Sequence, residues 1–280
     1  VGSLFSGIGG LDLGLERAGM TVRWQSEIND YASKVLAKHW PGVPNHGDIK
    51  TIRWSDVEPV DVVCGGYPCQ PFSLAGKRAG EDDPRHLWPW VRQAISELQP
   101  RYAILENVRG HLTLGGTTVI GELAAIGYDA EWRVVSAASV GANHKRDRLI
   151  IVAYPNNAGD GTPGHGGNEQ RAQVVQGREI FTQHWSCGCG EDVADTTRQQ
   201  VNGRQHGNVF GPGAANWLQS TVGREGGYGG FAYWETEPDV GRVADGIPAR
   251  VDRLRGLGNA VVPQVAEVIG RMVMAHAAMS

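Results

Sequence analysis

The sequence has no run approaching the ~18 apolar residues that a membrane-spanning helix needs, which argues against a membrane span. Cysteine is scarce, at four in 280 residues; this is no disulfide scaffold, and it fits a reducing, cytoplasmic setting. An excess of one charge is missing as well, since 26 Lys and Arg stand against 30 Asp and Glu for a net −4. That balance argues against an indiscriminate polyanion binder but leaves local basic patches open. No charged-then-apolar leader opens the chain. It starts at Val1 inside a strand pattern, which predicts that a few residues precede it. Internal repeats and charge runs are also lacking. Glycine is what abounds, at 40 of 280 residues.

The glycines are unevenly spread. Residues 155–235 hold 17 of them in 81 positions, against 23 in the remaining 199. That window is polar and has few apolar runs. Residues 1–154 instead alternate short apolar strands with amphipathic helices. Strands are expected at Val1–Phe5, Val22–Ser26, Val60–Cys64, Tyr102–Glu106 and Leu149–Tyr154. Helices are expected through Leu11, Leu15 and Ala18, over Tyr31–His39 and Leu87–Leu98, and from about Pro263 to Ala278. Such alternation implies an α/β fold with a mostly parallel sheet covered on both faces. The expected organisation is a large α/β domain over 1–154, a glycine-rich insertion over 155–241, and a hinge with a C-terminal helix over 242–280 that returns to the first domain.

Several strand ends carry chemistry. Phe5–Gly10 (FSGIGG) joins a strand to a helix, and Glu27 closes the next strand. Glycines let a ligand approach the backbone, and a carboxylate there can hold ribose hydroxyls; a tight packing turn would read the same way. A dinucleotide fingerprint needs a third glycine at position 12, where Asp12 stands. An acidic group where a pyrophosphate would lie disfavours NAD and favours a nucleoside without pyrophosphate. Asp48 of His46–Ile49 can face the same crevice. In Gly65–Ser73 (GGYPCQPFS), Cys69 follows an apolar strand between stiffening prolines. It reads either as a nucleophile at a ligand-binding strand end or as a small buried apolar residue. Glu106 follows three apolar residues at a strand top, where a carboxyl has a raised pKa and can donate a proton. Lys145, Arg146 and Arg148 surround Asp147 just before another buried strand, as a solvated cluster or as an anion contact.

Taken in order, FSGIGGLDLGLERAG, SEIND, GDI, GGYPCQPFS, LENVRG, HKRDRLIIV and RLRGLGNAVVPQVAEVIG resemble the C5-cytosine DNA methyltransferase family. The resemblance spans residues 4–154 and about 242–270. It implies a Rossmann-like, S-adenosyl-methionine-dependent sheet with a small glycine-rich target-recognition domain. It implies methylation of a flipped-out cytosine in a specific duplex DNA sequence, with Cys69 adding to C6 and Glu106 protonating or hydrogen-bonding N3 and the exocyclic amine. Asn107 would hold the loop or base. Arg146 and Arg148 match the arginines of the family's Gln-x-Arg-x-Arg motif, the one nearer the base helping to bind cytosine; His144 replaces the glutamine. A tRNA cytosine-5 methyltransferase with the same catalytic core is the alternative.

For the cofactor, whose product is S-adenosyl-homocysteine, the resemblance implies Phe5, Gly7 and Gly9 at the turn, Glu27 on the ribose and Ile28 against the adenine. Asp48 and Ile49 would lie at the adenine edge, Pro68 and Leu87 would line the pocket, and Asn259 and Val261 would come from the far end. Ser3 stands where the family usually has Asp. Gln70–Arg85 resembles a mobile loop closing over the base, with Ser73, Lys77, Arg78 and Arg85 as phosphate donors, and Gln70 is grouped with these DNA-binding residues. Arg242 and Arg250 belong to a hinge patch suited to a DNA backbone. Arg198, Gln199, Gln200, Asn202, Arg204, Asn208 and Arg224 are candidate base readers. Cys187, Cys189 and His184 invite a zinc reading, but their spacing is short and a second pair is absent, so no metal is expected. The expected partners are double-stranded DNA and a companion restriction endonuclease, and a monomer is expected to suffice.

Overall fold

A computed structural model describes residues 1–68, 87–113, 115–156 and 248–279. The loop with Cys69, Gln70, Ser73, Lys77, Arg78 and Arg85, nearly all of the glycine-rich window, and Arg242 lie outside the described residues. Cys187, Cys189, His184 and the candidate base readers lie outside them too.

Among the described residues the strands are β1 Gly2–Leu4, β2 Trp24–Ser26, β3 Val62–Gly65, β4 Tyr102–Val108, β5 Tyr128–Val135 and β6 Arg148–Pro155. The α-helices are α1 Gly10–Arg17, α2 Asp30–His39, α3 Trp88–Leu98, α4 Gly116–Ala125, α5 Arg250–Asn259 and α6 Pro263–Met279. One six-stranded sheet has the order β2-β1-β3-β4-β6-β5. The four strands from β2 to β4 are parallel, as the alternating pattern predicts. β6 is reversed, pairing antiparallel with both β4 and β5. Strand β5 and helices α4 and α5 are additions to the sequence-based expectation.

The period of two along each strand divides the core. Val63, Ala103 and Leu105 face one side, where Trp24, Trp54, Val91, Ile95 and Leu123 pack. Val62, Cys64, Ile104 and Val152 face the other, against Leu11 and Leu15 of α1 and Val265, Ile269 and Met272 of α6. α6 begins at Pro263, whose fixed φ and missing N–H suit a first helical turn. Its contact with α1 is close because Gly14 has no side chain; a Cβ there would collide with the Pro263 carbonyl and Ala266. α2 is started by Asn29, whose side chain accepts from the Ala32 N–H at 2.9 Å.

Candidate active site

In an open α/β sheet the ligand crevice forms outside the carboxyl ends of the strands, where the strand order reverses. Here the chain runs outward from β1 to β2, then returns to place β3 on the other side of β1. The reversal lies between β1 and β3, so the turn after Leu4 and the loop after Gly65 flank one crevice.

The first wall is Phe5–Gly10. Phe5 (φ 51°), Gly7 (φ 56°) and Gly9 (φ 86°) all occupy the left-handed region, which curls the backbone into α1. Glu27, at the end of β2, accepts from the Gly7 N–H and the Asn29 N–H, each at 2.8 Å. The carboxylate therefore stands at the turn, tied to it by backbone donors. Ile28 beside it is 68% exposed, an apolar surface open to a planar ligand. Asp48 is half-buried and accepts from the Lys50 N–H at 3.0 Å, while Ile49 is buried in the core on the Trp24 face. Val261 backs the turn from the far end of the chain, and a Cβ on Gly10 would collide with its carbonyl. Asn259 ends α5 on the surface, Leu87 is half-buried at the start of α3, and Pro68 is exposed. Arg250 opens α5 on the surface.

Asp12 requires a correction. It does not present its charge where a pyrophosphate would lie; it is fully buried. Its carboxyl oxygens accept from the Ser3 hydroxyl at 2.9 Å and the Gln25 amide at 2.7 Å. Burial pushes its pKa up, and these two hydrogen bonds oppose that shift. Ser3 is likewise buried and gives its hydroxyl to Asp12.

The second wall is the end of β4. Glu106 is 8% exposed and receives the Arg148 Nε–H at 2.8 Å. Burial raises its pKa, while the charges of Arg148 and Arg146 pull it down. Gly66, at the end of the neighbouring β3, leaves room for this carboxyl; a Cβ there would sit 2.8 Å from Glu106 Oε2. Glu106 thus lies against the backbone that leads, three residues on, to Cys69. Asn107 is buried and donates from Nδ2 to the Tyr67 carbonyl at 3.1 Å, tying β4 to the same loop. The Tyr67 hydroxyl lies 2.9 Å from His111 Nε2, and Trp88 packs 5.4 Å from the Tyr67 ring. Sequence reasoning missed Tyr67 and His111, because only the adjacency of β3 and β4 brings positions 67 and 111 together. Burial lowers the His111 pKa to about 4.

The arginines part company. Arg148 faces Glu106, whereas Arg146 donates from Nη2 to the carbonyls of Gly258 and Ala260 at 2.7 and 2.6 Å. His144 is exposed beside Asn143. Asp147 draws Arg109 at 3.4 Å and Lys145 at 3.8 Å. Among the described residues no cluster of three His, Cys, Asp or Glu side chains could hold a metal, and no helix is long and apolar enough to cross a membrane.

A family model for C-5 cytosine-specific DNA methylase matches residues 1–179, more than half of the chain. The chain belongs to this family. Its glycine turn, Glu106, Asn107, Arg146 and Arg148 all lie inside the matched residues, whereas Arg250, Asn259 and Val261 lie beyond them. Among curated relatives, Type II methyltransferase M.NgoBI of Neisseria gonorrhoeae is 38% identical over 159 residues, 55% of this chain and 50% of that protein. Type II methyltransferase M.Eco47II of Escherichia coli is 40% identical over 168 residues, 56% of this chain and 40% of that protein. The chain of this C-5 cytosine-specific methylase family member thus spans half or less of the length of these relatives. The solved structure of S. pombe Dnmt2 methyltransferase aligns with a TM-score of 0.48 at 23% identity, over 57% of this chain and 51% of that one.

Proposed function

We propose that this chain methylates carbon 5 of a cytosine in duplex DNA, with Cys69 as nucleophile and Glu106 as proton donor. The observation that carries the reading is Glu106: a buried carboxyl with a raised pKa, paired with Arg148 and packed against the Gly66 backbone that leads to Cys69. A cytosine stacked in a duplex is out of reach of this crevice, so the base is rotated out at a cost of a few kcal/mol.

Cytosine C5 is a poor nucleophile. The Cys69 thiolate adds to C6, forming an S–C bond and pushing electrons toward N3, where Glu106 supplies a proton or a hydrogen bond. Arg148 keeps the Glu106 carboxyl oriented, and Asn107 holds the Tyr67 carbonyl, which fixes the loop ahead of the nucleophile. The donor set of the first wall fits a nucleoside: Glu27 is placed for ribose hydroxyls, Ile28 offers an apolar face, and the left-handed turn admits close approach. S-adenosyl-methionine, when bound there, supplies the methyl group and leaves as S-adenosyl-homocysteine. Water then takes the C5 proton, the freed electron pair reforms the C5–C6 double bond as the C6–S bond breaks to release the Cys69 thiolate, and N3 returns its proton to Glu106.

Residues 155–241 serve as the target-recognition region in this reading, with Arg242 and Arg250 on the DNA backbone. A companion restriction endonuclease, a cytoplasmic setting and a monomeric enzyme complete the proposal, the first suggested by the Type II names of the relatives.

The test uses duplex oligonucleotides carrying 5-fluorocytosine, which blocks loss of the C5 substituent. With S-adenosyl-methionine present, a stable conjugate through residue 69 is expected, and Cys69→Ala abolishes it. No conjugate on any DNA target overturns the reading, and a conjugate on tRNA alone moves the substrate to RNA.

A further inference from the structure

Arg146 lies two residues before Arg148, the partner of Glu106, yet its own hydrogen bonds run to a segment more than a hundred residues away. Its Nη2 bridges the carbonyls of Gly258, in the last turn of α5, and Ala260, the residue that caps it. The last carbonyls of a helix lack intrahelical partners and carry the negative end of its dipole, so a guanidinium is a strong cap for them. The backbone of Arg146 accepts a left-handed φ of 39° in this position. Such a conformation is unfavourable for a side chain of this size and persists only where the surroundings hold it.

What Arg146 holds matters more. The capped segment rests on the glycine turn: Gly256 approaches Ile8 so closely that a Cβ would lie 3.1 Å from its Cγ2, and Val261 abuts Gly10. One side chain therefore joins the Glu106 strand end to the roof of the turn that flanks the crevice on its other side.

We propose that Arg146 is a positioning residue for the cofactor side of the crevice: by capping Gly258 and Ala260 it fixes Asn259–Val261 over Phe5–Gly10, and the base side is left to Arg148. This rests on the cofactor reading above. It separates two arginines that the sequence motif treats as a pair.

The test is made on the full chain, with cofactor binding and exchange read without DNA and base trapping read on the 5-fluorocytosine duplex. Arg146→Met keeps the aliphatic stem and removes both carbonyl bonds, while Arg146→Lys keeps the charge and guards against simple misfolding. Calorimetric titration with S-adenosyl-homocysteine is expected to show about tenfold weaker binding for Arg146→Met, an intermediate loss for Arg146→Lys, and a Kd within about twofold of wild type for Arg148→Met. Hydrogen exchange at Ala260 and Val261 is expected to quicken in Arg146→Met without any ligand. An Arg146→Met chain that binds S-adenosyl-homocysteine like wild type but no longer traps 5-fluorocytosine overturns the proposal, because Arg146 then serves the base. Unchanged exchange at 260–261 overturns the capping claim whatever the ligand result. A wild-type chain that binds no S-adenosyl-homocysteine brings down the cofactor reading itself, a failure readily told apart from the other two.

Discussion

Removing the Arg148 side chain isolates what holds Glu106 ionisable. The pair is close, at 2.8 Å, and the side chains are only 21% and 10% exposed, so solvent screens it weakly. An opposite charge this near lowers a carboxyl pKa by roughly 1–3 units, or about 1.4–4 kcal/mol. In Arg148→Met that stabilisation goes, and burial drives the Glu106 pKa higher still. The sign follows from the folded pKa lying above the unfolded one. The protonated carboxyl is tolerated at low pH, and stability falls as pH rises from the ordinary carboxylate range toward the folded value. In the variant this fall extends to higher pH, so the deficit of Arg148→Met relative to wild type grows with pH. It should be small near pH 4 and about 3 kcal/mol near pH 8, the scale for stranding one member of a buried pair. Urea unfolding at several pH values measures it. In methyl-transfer assays the alkaline limb of the rate profile should move to higher pH by the same shift. A deficit independent of pH would refute the claim that Arg148 acts on the Glu106 charge, and would leave only lost packing.

Two further perturbations probe the frame. His111, whose pKa burial lowers to about 4, binds fewer protons folded than unfolded; its contribution is full above about pH 6.5 and lost toward pH 4, amounting to about 3 kcal/mol. His111→Gln, which can still meet the Tyr67 hydroxyl, should flatten that part of the acid-unfolding curve, and identical acid slopes in the two chains would contradict the assignment. Asp12→Leu strands the Ser3 hydroxyl and the Gln25 amide in the core and should cost about 3 kcal/mol, against less for Asp12→Asn; equal urea midpoints for wild type and the leucine variant would show that the buried network contributes nothing.

What could be read from the sequence follows from how local each signal is. α1, α3 and α6 bury one face at helical spacing, and β3 and β4 are apolar runs, so each is legible from its own residues. β5 is not, because it lies at the sheet edge: Trp132 is 47% exposed and Glu131 and Arg133 interrupt the apolar pattern. α5 buries none of its residues, and Val251, Leu254 and Leu257 are all exposed, so it carries no core-facing signature. Within the site, Glu27, Glu106 and the glycine turn were visible as residues at strand ends. The inward turn of Asp12 was not, since its two donors arrive from β1 and β2 and depend on how α1 sits against them. Tyr67 with His111, and Arg146 with Gly258 and Ala260, depend on tertiary neighbours that no spacing encodes.

The reversed strand is the feature on which the site turns. Arg146 and Arg148 precede or open β6, whereas Glu106 lies near the close of β4. In a parallel pair the start of one strand meets the start of the other. Arg148 would then sit beside Tyr102, four residues before Glu106, which at ~3.3 Å per residue is about 13 Å along the strand from the carboxyl. Because β6 runs antiparallel, Arg148 is registered opposite Val108 and Ile150 opposite Glu106. The arginines are thereby delivered to the carboxyl edge, where the β1–β3 crevice opens. The long connection from β5 supplies the reversal: the Ser136 hydroxyl donates to the Lys145 carbonyl at 2.6 Å, which sets the approach of residues 145–148 to the strand. An all-parallel sheet built from the same segments would keep its core, since the apolar faces of β4 and β6 alternate either way, but it would lose the Glu106–Arg148 pair. The orientation of one strand therefore decides the chemistry of this edge, while burial alone leaves that orientation open.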